Sequence, residues 1–134
     1  MTQKELSGLF YLNKETKILQ DELIELESNI GTKSVVLSSM PKAKNAKHSI
    51  VEDIAIEISD LKTLIQLNLK KIQIERARLE RYIGSIEDAE IRLIFRLRHI
   101  NGMTWYEIGN ELYMHHTTVL RKHKAYLKLA QNAQ

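Results

Sequence analysis

Apolar residues return at alternating spacings of three and four along two long stretches of this chain, and that rhythm restricts the first two thirds to paired helices. In the first stretch the positions are Leu9, Leu12, Thr16, Leu19, Leu23, Leu26 and Ile30. In the second they are Val51, Ile54, Ile58, Leu61, Ile65, Asn68, Ile72, Glu75, Leu79 and Tyr82, with two polar interruptions. A repeat of this period keeps one stripe turned toward a single partner along a whole helix, which the twofold alternation of a strand cannot do. Thr2 with Glu5 and Ser49 with Glu52 have the spacing of capping boxes. In that motif a hydroxyl takes an orphan amide proton at the helix start and the acid three residues on reaches back. The spacing therefore predicts helices over about 3–30 and about 50–83. At about 1.5 Å per residue they run to roughly 40 and 50 Å.

Helices of that length cannot be covered by the rest of a short chain, so they are expected to cover one another as an antiparallel hairpin. The connection from Gly31 to His48 holds Ser34, Ser38, Ser39, Pro41 and the basic run Lys42, Lys44 and Lys47, and reads as a mobile loop. Leu64, Leu67, Leu69 and Ile74 lie off the seam and widen the apolar face beyond what one partner helix hides. A second copy of the chain would cover it, as a homodimer or higher oligomer, with Asn68 setting register as a buried asparagine does in zippers. A hairpin with no partner is the alternative. Residues 1–84 are thus read as a helical hairpin and oligomerisation region.

From residue 85 onward the pattern changes to short helices. Ile91, Ile94, Phe95, Leu97 and Ile100 form a stripe on a supporting helix that Ser85 is placed to cap and Asn101-Gly102 to end. Thr104 and Glu107 form another capping box, so a second helix begins at about Trp105. Ile108, Leu112, Met114 and Val119 supply a shared core, and Gly109 sits where two steeply crossing helices approach most closely. The turn after Leu112 calls for a left-handed residue, where Tyr113 stands in place of the usual glycine. His115 occupies the next N-cap, a position that favours Ser or Thr. The fold class expected is all-α: a long antiparallel hairpin over 1–84, then a three-helix helix-turn-helix unit over 85–134.

Charge distribution gives this unit a candidate role. Every acid in segment 85–134 precedes residue 112, whereas Arg121, Lys122, Lys124 and Lys128 follow it without opposition. A helix that is small, polar and basic on its outer face suits the major groove of duplex DNA. Aligned at the turn, the base-facing residues are His116, Thr117, Leu120 and Arg121. Arg121 can donate two hydrogen bonds to guanine, Thr117 can bond a base edge, and Leu120 can meet a thymine methyl. Lys122, Lys124 and Lys128 suit phosphates. His115, His116 and His123 read as polar, partly cationic surface residues beside them. Trp105 reads as core packing at the start of its helix.

Other chemistries find little to build on. The chain has no Cys and one Pro, so disulfides and thiolate metal sites are excluded. The histidines of the last helix are not spaced three or four apart, and His-Glu-x-x-His is absent, so no metal is expected. Gly31-Thr-Lys33 lacks the rest of a phosphate loop, and no nucleophile elbow or carboxylate pair stands out. No enzyme activity and no cofactor are expected. No signal pattern and no apolar run long enough to cross a membrane is present, so the expectation is a cytoplasmic protein without a membrane partner.

The C-terminal pattern resembles the region-4-like helix-turn-helix of bacterial sigma factors. The wider layout includes the Lys-Glu-Leu and Tyr-Leu stretch of the first helix, Ser-Ser-Met-Pro in the loop, and Ser-Ile-Glu-Asp-Ala-Glu-Ile-Arg-Leu-Ile-Phe-Arg-Leu-Arg-His-Ile over 85–100. That layout is similar to a phage and mobile-element family related to late-operon transcription regulators of the ArpU and RinA type. The resemblance covers nearly the whole chain. It implies a sequence-specific regulator of phage genes in a bacterial host, activating late transcription and touching RNA polymerase or its sigma factor. A small terminase subunit, which joins a DNA-binding helical unit to an oligomerising hairpin in a ring, is the alternative. A full sigma factor fits less well, because the long helices lack an aromatic, basic stretch for opening a promoter.

Overall fold

The structure, a computed structural model, describes the backbone of residues 1–39 and 44–133 and the side chains of 1–30 and 50–133. It is all-α, with no strand among the described residues. Two long helices come first, α1 (Gln3–Ser39) and α2 (Lys44–Gly84). Three short ones follow: α3 (Ala89–Phe95), which continues as a π turn over Arg96–Ile100, then α4 (Trp105–Leu112) and α5 (His116–Asn132).

The first capping box is formed in both directions. The Thr2 backbone N–H donates to Glu5 Oε2 at 2.8 Å, and the Glu5 N–H donates to Thr2 Oγ1 at 3.2 Å. The second is not a helix start, because α2 already begins at Lys44 and runs through Ser49. The expected loop from Gly31 to His48 is corrected with it: α1 stays helical to Ser39, and positions 40–43 lie outside the described residues. The Ser, Thr and Val residues after Gly31 each cost at most about 0.7 kcal/mol in a helix relative to alanine, too little to stop one that is already propagating.

The chain divides into two compact units, one of Met1–Asn13 with Lys71–Gln134 and one of Lys14–Lys70. The bounds of both units lie within the long helices. The reason is a shared core: Leu6 and Leu9 of α1 and Leu79 and Ile83 of α2 are buried together with Ile86, Phe95 and Leu127. The short helices leave Phe95 and Leu127 to be covered, and the roots of the long helices cover them.

In the unit Lys14–Lys70 the helices run antiparallel along the predicted seam. Thr16, Ile54, Ile65 and Asn68 are its buried residues. Asn68 Nδ2 donates to Glu15 Oε1 at 2.9 Å, which satisfies the buried amide within the chain, and Lys62 pairs with Glu27 at 3.6 Å. The off-seam residues Leu64, Leu67 and Leu69 remain 42, 50 and 43% exposed. The chain by itself does not bury the widened face.

In the other unit, α3 is capped by Asp88 rather than by Ser85. The Asp88 carboxylate accepts from the N–H groups of Glu90 at 2.8 Å and Ile91 at 3.2 Å. Ser85 still belongs to the end of α2, where its hydroxyl donates to the Tyr82 carbonyl at 2.6 Å. Ile94, Ile108 and Val119 form a second buried cluster, with Leu97, Met103, Trp105, Leu112 and Met114 packed around it. Asn101 and Gly102 end the supporting helix as expected, Gly102 at a φ of 70°. The π turn before them, closed by Asn101 N–H to Arg96 carbonyl at 3.1 Å, had no signature in the sequence.

Candidate nucleic-acid interface

The geometry of α4 and α5 follows from four local features. Thr104 caps α4 by accepting from the Glu107 N–H at 3.2 Å. Gly109 is buried, and a Cβ there would meet the Met114 carbonyl oxygen at 2.6 Å and the His116 nitrogen at 3.3 Å. Tyr113 adopts φ 56° and ψ 42°, the left-handed conformation the turn requires, with its side chain 96% exposed. His115 caps α5: its Nδ1 accepts from the Thr117 N–H at 3.3 Å and lies 2.7 Å from the Thr117 hydroxyl.

The left-handed strain at Tyr113 has a measurable consequence. Tyr113→Gly removes no contact from an almost fully exposed ring and relieves a conformation that costs a non-glycine residue about 1 kcal/mol. We expect a rise of a few degrees in Tm. A Tm that stays level or falls would show that the turn stores no such strain.

Thr117, Leu120, Arg121, Lys124 and Lys128 line one shallow groove on α5. These five of the seven expected contact residues thus share a face, and Thr117, Arg121, Lys124 and Lys128 are exposed on it. His116 is half-buried, and its ring stacks on Tyr106 at 3.9 Å between centroids, so it braces the junction of α4 and α5. Lys122 points to the opposite flank, where its ammonium pairs with the Glu90 carboxylate of α3. It forms a strut between helices, whereas the other expected phosphate-facing residues, Lys124 and Lys128, stand on the groove face.

His123 is corrected as well. It is 1% exposed, its ring is stacked on Phe95 at 4.4 Å, and Trp105 meets it edge-on at 4.9 Å. Its Nε2 lies 2.8 Å from Nε2 of His99, which is also buried. Steps of four from Val119 to His123 to Leu127 put this histidine on the inner stripe of α5, a signal the sequence does carry. Burial pushes His123 down to about 3, helped by the neighbouring charges of His99, Arg98 and Lys124. Burial and Arg98 push His99 down to about 4, against a hydrogen bond to the Leu6 backbone that favours its charged form. Between the two Nε2 atoms one ring donates and the other accepts, so at least one nitrogen of the pair is deprotonated. The Nδ1 of His123 is buried with no hydrogen-bond partner.

Arg98 was not among the expected contact residues. The π turn aims its guanidinium over the Trp105 ring, 4.4 Å from the centroid, and its Nη1 donates to the Met103 carbonyl at 3.0 Å. Trp105 itself is partly buried against the second cluster, as a packing residue should be.

Among the described residues no group of three or more His, Cys, Asp or Glu is placed to hold a metal ion, and no helix is long and apolar enough to cross a membrane. The chain matches no family model, no curated protein and no solved structure.

Proposed function

We propose that this chain is a sequence-specific DNA-binding transcription regulator, non-catalytic, that docks α5 in the major groove and works as a homodimer or higher oligomer. The observation that carries this is the single face of α5 on which Thr117, Leu120, Arg121 and Lys124 stand together. None of its cations is ion-paired among the described residues, whereas Lys122, on the other flank, is. The inner face of the same helix is fixed by Val119, His123 and Leu127, so the outer one is presented by a rigid element. Control of phage late genes, with RNA polymerase or its sigma factor as a partner, is what the family resemblance adds. The half-exposed Leu64, Leu67 and Leu69 support the oligomer, because a second copy offers the same apolar stripe in return.

Footprinting on the DNA that flanks the gene tests the proposal and supplies a specific site. Against that site Arg121→Ala is expected to cost about 1 to 3 kcal/mol, with a much smaller change on random duplex. An equal loss on both would reduce Arg121 to a positioning contact. A wild-type chain whose duplex binding is absent, or insensitive to salt, would overturn the proposal.

A further inference from the structure

A hollow of about 420 Å³ lies beside the proposed recognition face, walled by the π turn, the start of α4, the inner edge of α5 and the first residue of α1. Its cations come from two elements: Arg98 from the π turn, and Lys124 and Lys128 one turn apart on α5. Gln3, Gln131 and Trp105 also line it, and no carboxylate does.

Five described cations elsewhere differ from these three in having an acid close by. Lys62, Arg76, Arg78, Arg96 and Lys122 each have a carboxylate within 4 Å. Arg98, Lys124 and Lys128 have none among the described residues, although three like charges around one hollow repel one another. Arg98 is held in place by neutral groups, the Met103 carbonyl and the Trp105 face, which orient the fork and leave other N–H groups to donate. A fixed guanidinium fork flanked by two mobile ammonium groups matches a tetrahedral oxyanion. The fork supplies paired donors in a set geometry, and the lysines supply charge.

We propose that this hollow is a phosphoryl-binding cradle, in which Arg98 clamps the anionic oxygens and Lys124 and Lys128 close over them. The proposal deepens the DNA-binding reading and rests on it for the source: the occupant is a backbone phosphodiester of the docked duplex, and the hollow has room for the sugars on either side. The π turn then has a role, since the extra residue it accommodates turns Arg98 toward α4. Such turns are frequent at functional sites.

Binding of labelled duplex to the full-length chain, measured across a salt series, tests the cradle, with the intrinsic fluorescence of Trp105, the one tryptophan, as an independent readout. Arg98→Gln should weaken binding to specific and random duplexes alike by roughly tenfold and lower the salt slope by about 0.9, the loss of one phosphate contact. Lys128→Gln, at an exposed position with no partner to lose, should do the same without touching the fold. Duplex should also perturb Trp105 emission in the wild type and not in Arg98→Gln. A second arm titrates inorganic phosphate and a nucleoside monophosphate without DNA. If wild type ignores duplex but these quench Trp105 in an Arg98-dependent way, the cradle stands as a site for free phosphate compounds and the DNA reading fails. If duplex binds but both variants keep wild-type affinity and slope, the cradle is wrong and the DNA reading survives. Silence in both arms overturns both.

Discussion

Acidification from pH 7 to pH 5 is expected to remove roughly 4 kcal/mol of folding stability through two side chains, His99 and His123. In the folded protein their proton affinities are pushed down to about 4 and about 3. In the unfolded chain both return to about 6.5. Above that value neither state carries the protons and the pair costs nothing. As pH falls below it, the unfolded chain takes up two protons that the folded chain refuses, so stability drops with each unit of pH until the folded rings titrate. Burial enforces this first, with Arg98 next to both rings and Lys124 on the helix of His123 adding to it. Glu5, whose carboxyl is held below its ordinary range by the Thr2 backbone and then by Arg78, adds stability that begins to be lost as pH falls through the unfolded carboxylate range, at the lower end of the histidine window.

Small domains hold only about 5 to 15 kcal/mol in total, so a loss of this size shows directly in urea midpoints at the two pH values. His99→Gln with His123→Gln is less stable at pH 7, because the ring stack on Phe95 goes with it. Its midpoint should nevertheless be nearly flat between pH 7 and 5. A wild type that loses less than about 1 kcal/mol over that range, or a double variant that loses as much as wild type, would mean that the rings are not held neutral.

What could be read from the sequence was whatever depended on local chemistry. The seam residues Thr16, Ile54, Ile65 and Asn68 are buried at their assigned positions. Thr2, Thr104, Tyr113 and His115 take the cap and turn conformations their places demand. Each of these is decided by a spacing within one turn or one repeat, and a single chain displays it.

What could not be read depended on which surface meets which. Lys122 and Lys124 are equally basic, and only the presence of Glu90 on α3 separates a strut from a candidate DNA contact. His123 was assigned by its polarity to the surface, while its place in the stripe of Val119 and Leu127 assigned it to the core. Packing prevailed because a second histidine, twenty-four positions away, was there to share a proton. The full extent of the core around the short helices is hidden for a similar reason. A heptad seam looks uniform along its length, so nothing in it announces that Leu6, Leu9, Leu79 and Ile83 close the core of the short helices. The helical stretch before Ser39 was hidden by composition, since Ser, Thr and Val disfavour a helix without preventing one.

Gly109→Val should be the most damaging single substitution at the proposed interface, destabilising the protein by about 3 kcal/mol. The atoms in the way are backbone, the Met114 carbonyl oxygen at 2.6 Å and the His116 nitrogen at 3.3 Å from a Cβ, so no rotamer change can make room. The turn between α4 and α5 has to move, and with it the Met114 N–H to Gly109 carbonyl bond of 2.9 Å that closes it. Gly109→Ala meets the same first atom but gains helix propensity of about 1 kcal/mol, so its net cost is smaller. The two variants also separate stability from function. Displacing the N-terminus of α5 shifts Thr117 and Arg121 relative to the supporting helix even in molecules that stay folded. Duplex affinity at a temperature where Gly109→Ala is fully folded should therefore still fall, and by more than its loss of stability explains. Wild-type affinity in that variant, or a thermal midpoint of Gly109→Val equal to wild type, would show that the close approach of α4 to the start of α5 is not what holds the recognition helix in place.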